Sequence, residues 1–481
     1  MNDPDTTAAP ATSRPPAPGR VLSTLNEDGS RRRIRPRFSR GSYYARRRAM
    51  AYTLMFVFFL IPYLRWAGKP LILLDLPRRE FTLFGTTFLP TETLLFMLLF
   101  FSLVLVIFFA TAVLGRVWCG WACPQTVYME FLFRPIEYWL EGGWRGSKKL
   151  DRKRGLYGRR IVKQGIFLVL ALFLAHTFLA YFVGVDRLFL WVQRSPFEHP
   201  TSFLVMLGTT GLIFADFAWF REQTCLVACP YGRLQSVLLD RRSLIVGYDV
   251  ARGEPRQKGI LDRPATAGDC VNCELCVLTC PTGIDIRDGL QMECIHCTQC
   301  ADACDSVMLR IGKPPGLIRY GSRDGFDGRK GSWLRPRAVL YPAALALTLG
   351  AFVWLLGTRA DAEVTVLRGL GDPYTVADDG SIANQLRVKV ANRGGAARDY
   401  RITIGGAPEA SVIAPINPLP VKAGETRATG LFVMMPRGAF HDGEHPISVT
   451  VSDGAGFTET TPYRLVGPED EEEGEGEGTA R

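Results

Sequence analysis

The stretch "CVNCELCVLTCPTGIDI" occupies residues 270–286. It places Cys270, Cys273, Cys276 and Cys280 in the spacing C-x2-C-x2-C-x3-C-P. Fourteen residues after Cys280 the pattern returns as "CIHCTQCADAC", with Cys294, Cys297, Cys300 and Cys304. Three close thiolates of this kind wrap one face of an iron–sulfur cubane, and the fourth crosses to a second cubane. The spacing therefore predicts two [4Fe–4S] clusters, one on Cys270, Cys273, Cys276 and Cys304, the other on Cys294, Cys297, Cys300 and Cys280. Structural zinc sites use C-x2-4-C pairs set far apart, not tight triplets followed by C-P. Cys304 is followed by Asp305 rather than proline, which changes the turn without removing a ligand. His296, inside the second motif, is expected to face solvent.

The chain has twelve cysteines, all between 119 and 304 and all within short regular motifs. That usage does not match a disulfide-stapled secreted protein. The net charge of +10 is concentrated in "RRRIRPRFSRGSYYARRR" and "RGSKKLDRKRGLYGRR". Both runs border apolar segments, so they read as topogenic charge beside membrane spans, and no nucleic-acid partner is expected. The N-terminal "MNDPDTTAAPATSRPPAPGR" lacks an early apolar core of the signal-peptide type and reads as a disordered tail.

Five segments reach the roughly 20 apolar residues that a bilayer requires. They lie at about 49–66, 91–117, 161–185, 201–220 and 337–357. Lys and Arg crowd the N-terminal flank and the loop 115–163, while loops 66–90 and 186–200 carry few. The positive-inside rule then puts the N-terminus, loop 115–163 and loop 221–336 in the cytoplasm, and an odd number of spans sends the chain beyond about 358 to the other side. There "EVTVLRG", "NQLRVKVANRG", "DYRITIGG", "ATGLFVMMP", "PISVTVSDG" and "FTETTPYRL" alternate with period two between turn residues, which predicts a cysteine-free β-sandwich.

Two further cysteine pairs stand where spans two and four end: "CGWACPQ", with Cys119 and Cys123, and "CLVACPY", with Cys225 and Cys229. On a helix, i and i+4 share a face. Pro124 and Pro230 are expected to end or kink that helix just past the second thiol. If spans two and four are neighbours, the four thiols converge into a soft site suited to Cu(I), zinc or an additional iron–sulfur cluster. His176, in mid-span, is expected to make a hydrogen bond between helices, with no partner histidine at matching depth. Asp216 and Glu92, near span ends, are expected to be solvated.

The strings "CPTGIDIRDGLQMECIHCTQCADACDSVMLRIGKPPGLIRY", "EQTCLVACPYGRLQSVLLDRRSLIVGYDVARGEPR" and "VWCGWACPQTVYMEFLFRPIE" closely resemble the cytochrome c oxidase accessory proteins of the CcoG/FixG/RdxA family. The resemblance covers about residues 40–465. It implies a bacterial inner-membrane protein with an inserted ferredoxin-like 2[4Fe–4S] domain and a C-terminal immunoglobulin-like domain outside the cytoplasm. It also implies a role in building cbb3-type oxidase by reducing Cu(II) to Cu(I). The ferredoxin cysteines would deliver electrons from an unknown donor, with Cys119, Cys123, Cys225 and Cys229 as the copper-handling site. Oxidase subunits or copper chaperones are the implied partners. A quinone-linked electron-transfer subunit and a non-enzymatic assembly scaffold are the competing readings.

The expected layout is a disordered basic tail (1–48), four spans with the first C-x3-C-P loop (49–220), and a cytoplasmic loop (221–336) carrying the ferredoxin-type domain at about 260–312. A fifth span (337–357), the periplasmic immunoglobulin-like domain (358–466) and an acidic tail (467–481) complete it.

Overall fold

The structure is a computed structural model. It describes residues 23–468 except 27, 29, 67, 77–79, 89–91, 153–157, 260–263 and 330–334. The outermost parts of both expected disordered tails therefore lie outside the described residues. The chain divides into two compact units, the second built on residues from Val353 onward.

In the first unit, helix α1 is Ser42–Leu60, α2 is Thr93–Leu114, α3 is Gly158–Val183 and α4 is Pro200–Ala215, prolonged by a wider turn over Asp216–Phe220. Helix α5, Gln299–Arg310, belongs to the cysteine-rich segment, and α6 is Pro336–Gly357. Among the described residues, four helices are long and apolar enough to cross a membrane: α2, α3, α4 with its extension, and α6. Their exposed Leu, Phe and Val side chains suit lipid rather than water. The segment expected as the first span differs. Arg46, Arg47 and Arg48 fall inside the first turns of α1, and its apolar run only begins near Met50.

Residues 31–48, expected within a disordered tail, are ordered. Arg37 donates its backbone N–H to Leu278 O (2.8 Å), and Thr279 Oγ1 donates to Arg37 O (2.6 Å). Asp302 accepts the Tyr43 and Tyr44 amides (3.1 and 2.7 Å), which caps the first turn of α1. Arg35 and Arg47 are buried. The basic run thus holds ion pairs and caps inside the fold, which composition alone does not distinguish from topogenic charge.

Between α2 and α3, residues 124–141 form a continuous helix with a wider turn over Met129–Phe133. Phe133 stacks on Phe217 at 4.2 Å between ring centroids and meets Phe167 edge-on, joining this segment to α3 and α4. The cysteine-rich segment is closed by two strands, β1 (Ile245–Tyr248) and β2 (Ile318–Gly321), paired antiparallel. Its core contains Val246, Val271, Ile284, Val307, Met308, Leu317 and Ile318.

The second unit is a sandwich. Strands β3 (Ala362–Arg368), β4 (Thr375–Val376), β5 (Ile382–Asn392), β7 (Ser411–Ile413) and β9 (Thr426–Met435) make one sheet in the order β7-β9-β5-β3, with β4 on β5. Strands β6 (Arg398–Gly405), β8 (Leu419–Val421), β10 (Glu444–Ser452) and β11 (Thr458–Val466) make the other, in the order β8-β6-β10-β11. In β5, Leu386, Val388 and Val390 point inward between exposed Arg387 and Lys389, the alternation that "QLRVKV" dictates. All six strands legible in the sequence are present. The three short ones, β4, β7 and β8, have too few residues to show a period.

Candidate functional site: two cysteine pockets and a membrane-edge quartet

The two ferredoxin-like motifs repeat in backbone as well as in sequence. Asn272 and Glu274 in the first, and His296 and Thr298 in the second, all have positive φ between 52° and 58°. These are matched positions, flanking Cys273 and Cys297. Non-glycine residues rarely take this conformation. Here it curls successive N–H groups into a concave nest, the geometry that receives anionic sulfur. A helix begins directly after each nest, Leu275–Leu278 within the first motif and α5 within the second.

Each nest opens on a pocket. Cys270, Cys273, Cys276 and Cys304 line one, of about 350 Å³ including its open mouth. Cys280, Cys294, Cys297 and Cys300 line the other, of about 340 Å³, with Cys276 on the wall shared by both. The crossing of Cys280 and Cys304 thus appears in the lining residues. Two pockets of matched size, each walled by four thiols from a nested loop, fit a pair of cubanes. Cys273 is exposed and the other seven are buried or half-buried. Without metal, burial pushes thiols such as Cys297 up to about 11, and cluster binding would require them as thiolates.

The C-x3-C-P motifs are built differently from expectation. Cys119 lies in a short helix, Val117–Trp121, but Cys123 is extended (φ −60°, ψ 126°), and Pro124 is the first residue of the next helix. Cys229 (φ −75°, ψ 110°) likewise precedes the helix Pro230–Leu238. A residue before proline is pushed out of the helical region, and proline itself suits a first helical position. The prolines therefore start helices instead of ending them. Cys123 receives the Gln125 and Thr126 amides. Burial still pushes its thiol up against their pull.

The four thiols lie near enough to influence one another's charge. Burial, and then the neighbouring Cys123, push Cys119 up to about 11. Cys225 is raised by burial, then by Cys123, Cys119 and Cys229. Cys119 Sγ donates to Gln235 Oε1 at 3.3 Å. Among the described residues, no three His, Cys, Asp or Glu side chains converge on one metal-ion position.

Several other residues hold this arrangement. Asp216 is half-buried. It accepts from Gln125 Nε2 (3.1 Å) and from Thr224 Oγ1, tying the two C-x3-C-P loops together. Glu92, expected to be solvated, is buried. Arg116 donates its guanidinium to Gly232 O (2.5 Å) and Cys294 O (3.4 Å), and its backbone N–H to His296 Nδ1 (3.2 Å). Gly120 lies so close to the second cysteine nest that an added Cβ would stand 2.6 Å from Ile295 O and 2.9 Å from the Cys297 backbone. Arg47 Nε donates to Gly120 O (2.9 Å). Trp121 Nε1 donates to Tyr320 Oη (2.7 Å), which donates to His296 O (2.9 Å).

His296 is thus fully buried between the loops, not solvent-facing. Burial, and then the Arg116 guanidinium, push its imidazole down to about 3, so it is neutral. The glycine inside C-G-W-A-C was the available sequence signal for this close approach. His176 also differs from expectation: its Nδ1 meets Leu172 O of its own helix at 2.8 Å, and together with His199 it lines a separate cavity.

Spanning helices joined to cysteine nests define a membrane iron–sulfur electron-transfer protein. Family models agree. A "4Fe-4S dicluster domain" matches residues 220–323, a "4Fe-4S binding domain" matches 94–153, and the "IG-like fold at C-terminal of FixG" matches 352–468. Protein RdxB of Cereibacter sphaeroides is 34% identical over 410 residues, covering 79% of this chain and 84% of that protein. Nitrogen fixation protein FixG of Rhizobium meliloti is 29% identical over 496 residues, 90% of this chain and 92% of its own length. Ferredoxin-type protein NapH of Haemophilus influenzae is 26% identical over 232 residues, 43% of this chain and 66% of its own. The chain belongs to the FixG/RdxA family.

Proposed function

We propose that this protein is a membrane oxidoreductase that reduces Cu(II) to Cu(I), one electron per ion, in support of cbb3-type cytochrome c oxidase assembly. Oxidase subunits or copper chaperones are its partners. The observation that carries the reading is the seating of Gly120, between Cys119 and Cys123, on the Ile295–Cys297 backbone. Bound by Cys270, Cys273, Cys276 and Cys304 and by Cys280, Cys294, Cys297 and Cys300, two [4Fe–4S] clusters would supply one-electron carriers. The chain's own residues set the order in space. Cys273, at the surface, gives an electron donor access; Cys294 and Cys297 abut the membrane-edge loop; Cys119, Cys123, Cys225 and Cys229 meet copper. Soft thiolates favour Cu(I) over Cu(II) and so favour the product.

The test is to add Cu(II) to anaerobic, pre-reduced protein and follow it by EPR. Stoichiometric loss of the Cu(II) signal with cluster oxidation is expected. Replacing Cys119, Cys123, Cys225 and Cys229 together by Ser should abolish that loss and leave the ferredoxin-type signals. A Cu(II) signal that persists beside reduced clusters favours the quinone-linked or scaffold reading instead.

A second reading of the quartet rests on the family model over residues 94–153, described as binding 4Fe–4S and containing Cys119 and Cys123. On it, the four thiols hold a third cluster. Iron analysis separates the two: about eight iron atoms per chain for two cubanes, about twelve for three.

A further inference from the structure

A second polar cavity lies away from the cysteines. It measures about 510 Å³ including its open mouth, and Arg33, Arg35, Arg160, Lys163, Arg221 and Glu137 line it. Arg160 and Lys163 sit in the first turns of α3, and Arg221 follows the last turn of the α4 extension. The cavity therefore opens where two spans leave the apolar layer. Trp219, half exposed at its rim, suits that boundary.

The charges do not balance. The carboxylates paired with these five cations are Glu137, Glu141 and Asp151. Glu137 meets Arg35 at 2.5 Å, Arg221 at 2.8 Å and Lys163 at 3.0 Å. Glu141 meets Lys163 at 2.6 Å and Arg35 at 3.7 Å. Asp151 meets Arg160 at 2.6 Å, Arg35 at 3.1 Å and Arg33 at 3.5 Å. Five positive groups thus face three negative ones.

Among the described residues, two guanidinium donors, Nε of Arg160 and Nε of Arg221, are buried without a hydrogen-bond partner, and Gln164 Oε1 is likewise unpaired. Arg221 is 4% exposed and is held at φ +54°, a costly conformation for a residue with a Cβ. Burial, then Arg35, push the Arg33 guanidinium below its usual range. The buried, unpaired Nε donors of Arg160 and Arg221, set in this excess of positive charge with Arg33 at its exposed edge, are stabilised by a multivalent oxyanion.

We propose that this cavity binds a phosphate group, with Arg33, Arg160 and Arg221 donating to its oxygens. The group belongs either to an anionic phospholipid headgroup or to free phosphate. The outward faces of α3 beside the cavity, including Ile161, Val162, Leu168 and Val169, are apolar and exposed. Acyl chains of a lipid whose phosphate enters the cavity would lie along them.

Native mass spectrometry of the full-length protein in detergent tests this, with phosphatidylglycerol, phosphatidylcholine and inorganic phosphate as probes. Retention of phosphatidylglycerol roughly tenfold over phosphatidylcholine, lost in the double variant Arg33→Gln/Arg160→Gln, is expected if the source is lipid. An inorganic phosphate adduct lost in the same variant, without lipid selectivity, assigns the site to free phosphate. Adducts that the substitutions leave unchanged overturn the proposal. If the double variant does not fold, Arg33→Gln alone, whose side chain is 47% exposed, is read in its place.

Discussion

At the scale of single residues, Glu137 is the pivot of the buried ion network. Burial opposes its charge, yet Arg221, Arg35 and Lys163 together hold its carboxyl well below the usual range. Replacing Glu137 by Gln leaves three cations short of a partner, and breaking such a buried set costs about 3–5 kcal/mol. Thermal unfolding in detergent should show this loss at neutral pH. The pH dependence has a definite sign. The folded value lies below the unfolded value of 4.5, so the stabilisation is complete above about pH 4.5 and is lost as pH falls toward the folded value. The Glu137→Gln variant should lack that acid limb.

Gly120 offers a different single-residue test. An alanine there would press its Cβ against Ile295 O and the Cys297 backbone, neither of which can swing aside as a flexible side chain would. Gly120→Ala should slow Cu(II) reduction by about tenfold or more while the cluster absorbance remains, because a small displacement between reacting groups is costly. Equal rates in the two proteins would show that the seating of this loop is not rate-determining.

At the scale of elements, the paired cysteine loops depend on crossed partners. Cys280 stands in the first motif but lines the pocket of the second. Cys280→Ser should therefore perturb the signal of the cluster expected on Cys294, Cys297 and Cys300 and spare the other, a distinction EPR of the reduced protein can read. The sandwich obeys ordinary core energetics. Leu386 is fully buried in β5, and Leu386→Ala should cost about 2–5 kcal/mol in unfolding of the C-terminal unit. That substitution should leave the cysteine pockets of the first unit untouched.

At the scale of the molecule, orientation turns on α1. Four helices qualify as spans among the described residues, and an even number would return both chain ends to one side. The arrangement expected from the sequence, with the iron–sulfur domain cytoplasmic and the immunoglobulin-like domain periplasmic, requires α1 to cross as well. Reporter fusions after residue 30 and after residue 468 should then report opposite sides. Fusions on the same side would remove α1 as a span and the proposed topology with it.

The sequence by itself determined what depends on local repetition. The C-x2-C-x2-C triplets, the apolar runs of α2, α3 and α6, and the period-two strands each bring their meaning within a few residues, because ligand spacing and helix or strand periodicity are local properties. The crossed cysteine assignment is likewise an implication of the motif spacing. What only the tertiary structure decided involves residues far apart in the chain. Arg35 meets Glu137, Arg116 meets the His296 loop, and Asp216 bridges two loops that begin nearly a hundred residues apart. The arginine-rich N-terminus looked like solvated charge because composition reports how many charges there are, not which carboxylates the fold brings to them. Likewise Cys123 and Cys229 looked helical by spacing, but the prolines that follow fixed them as extended residues just ahead of new helices.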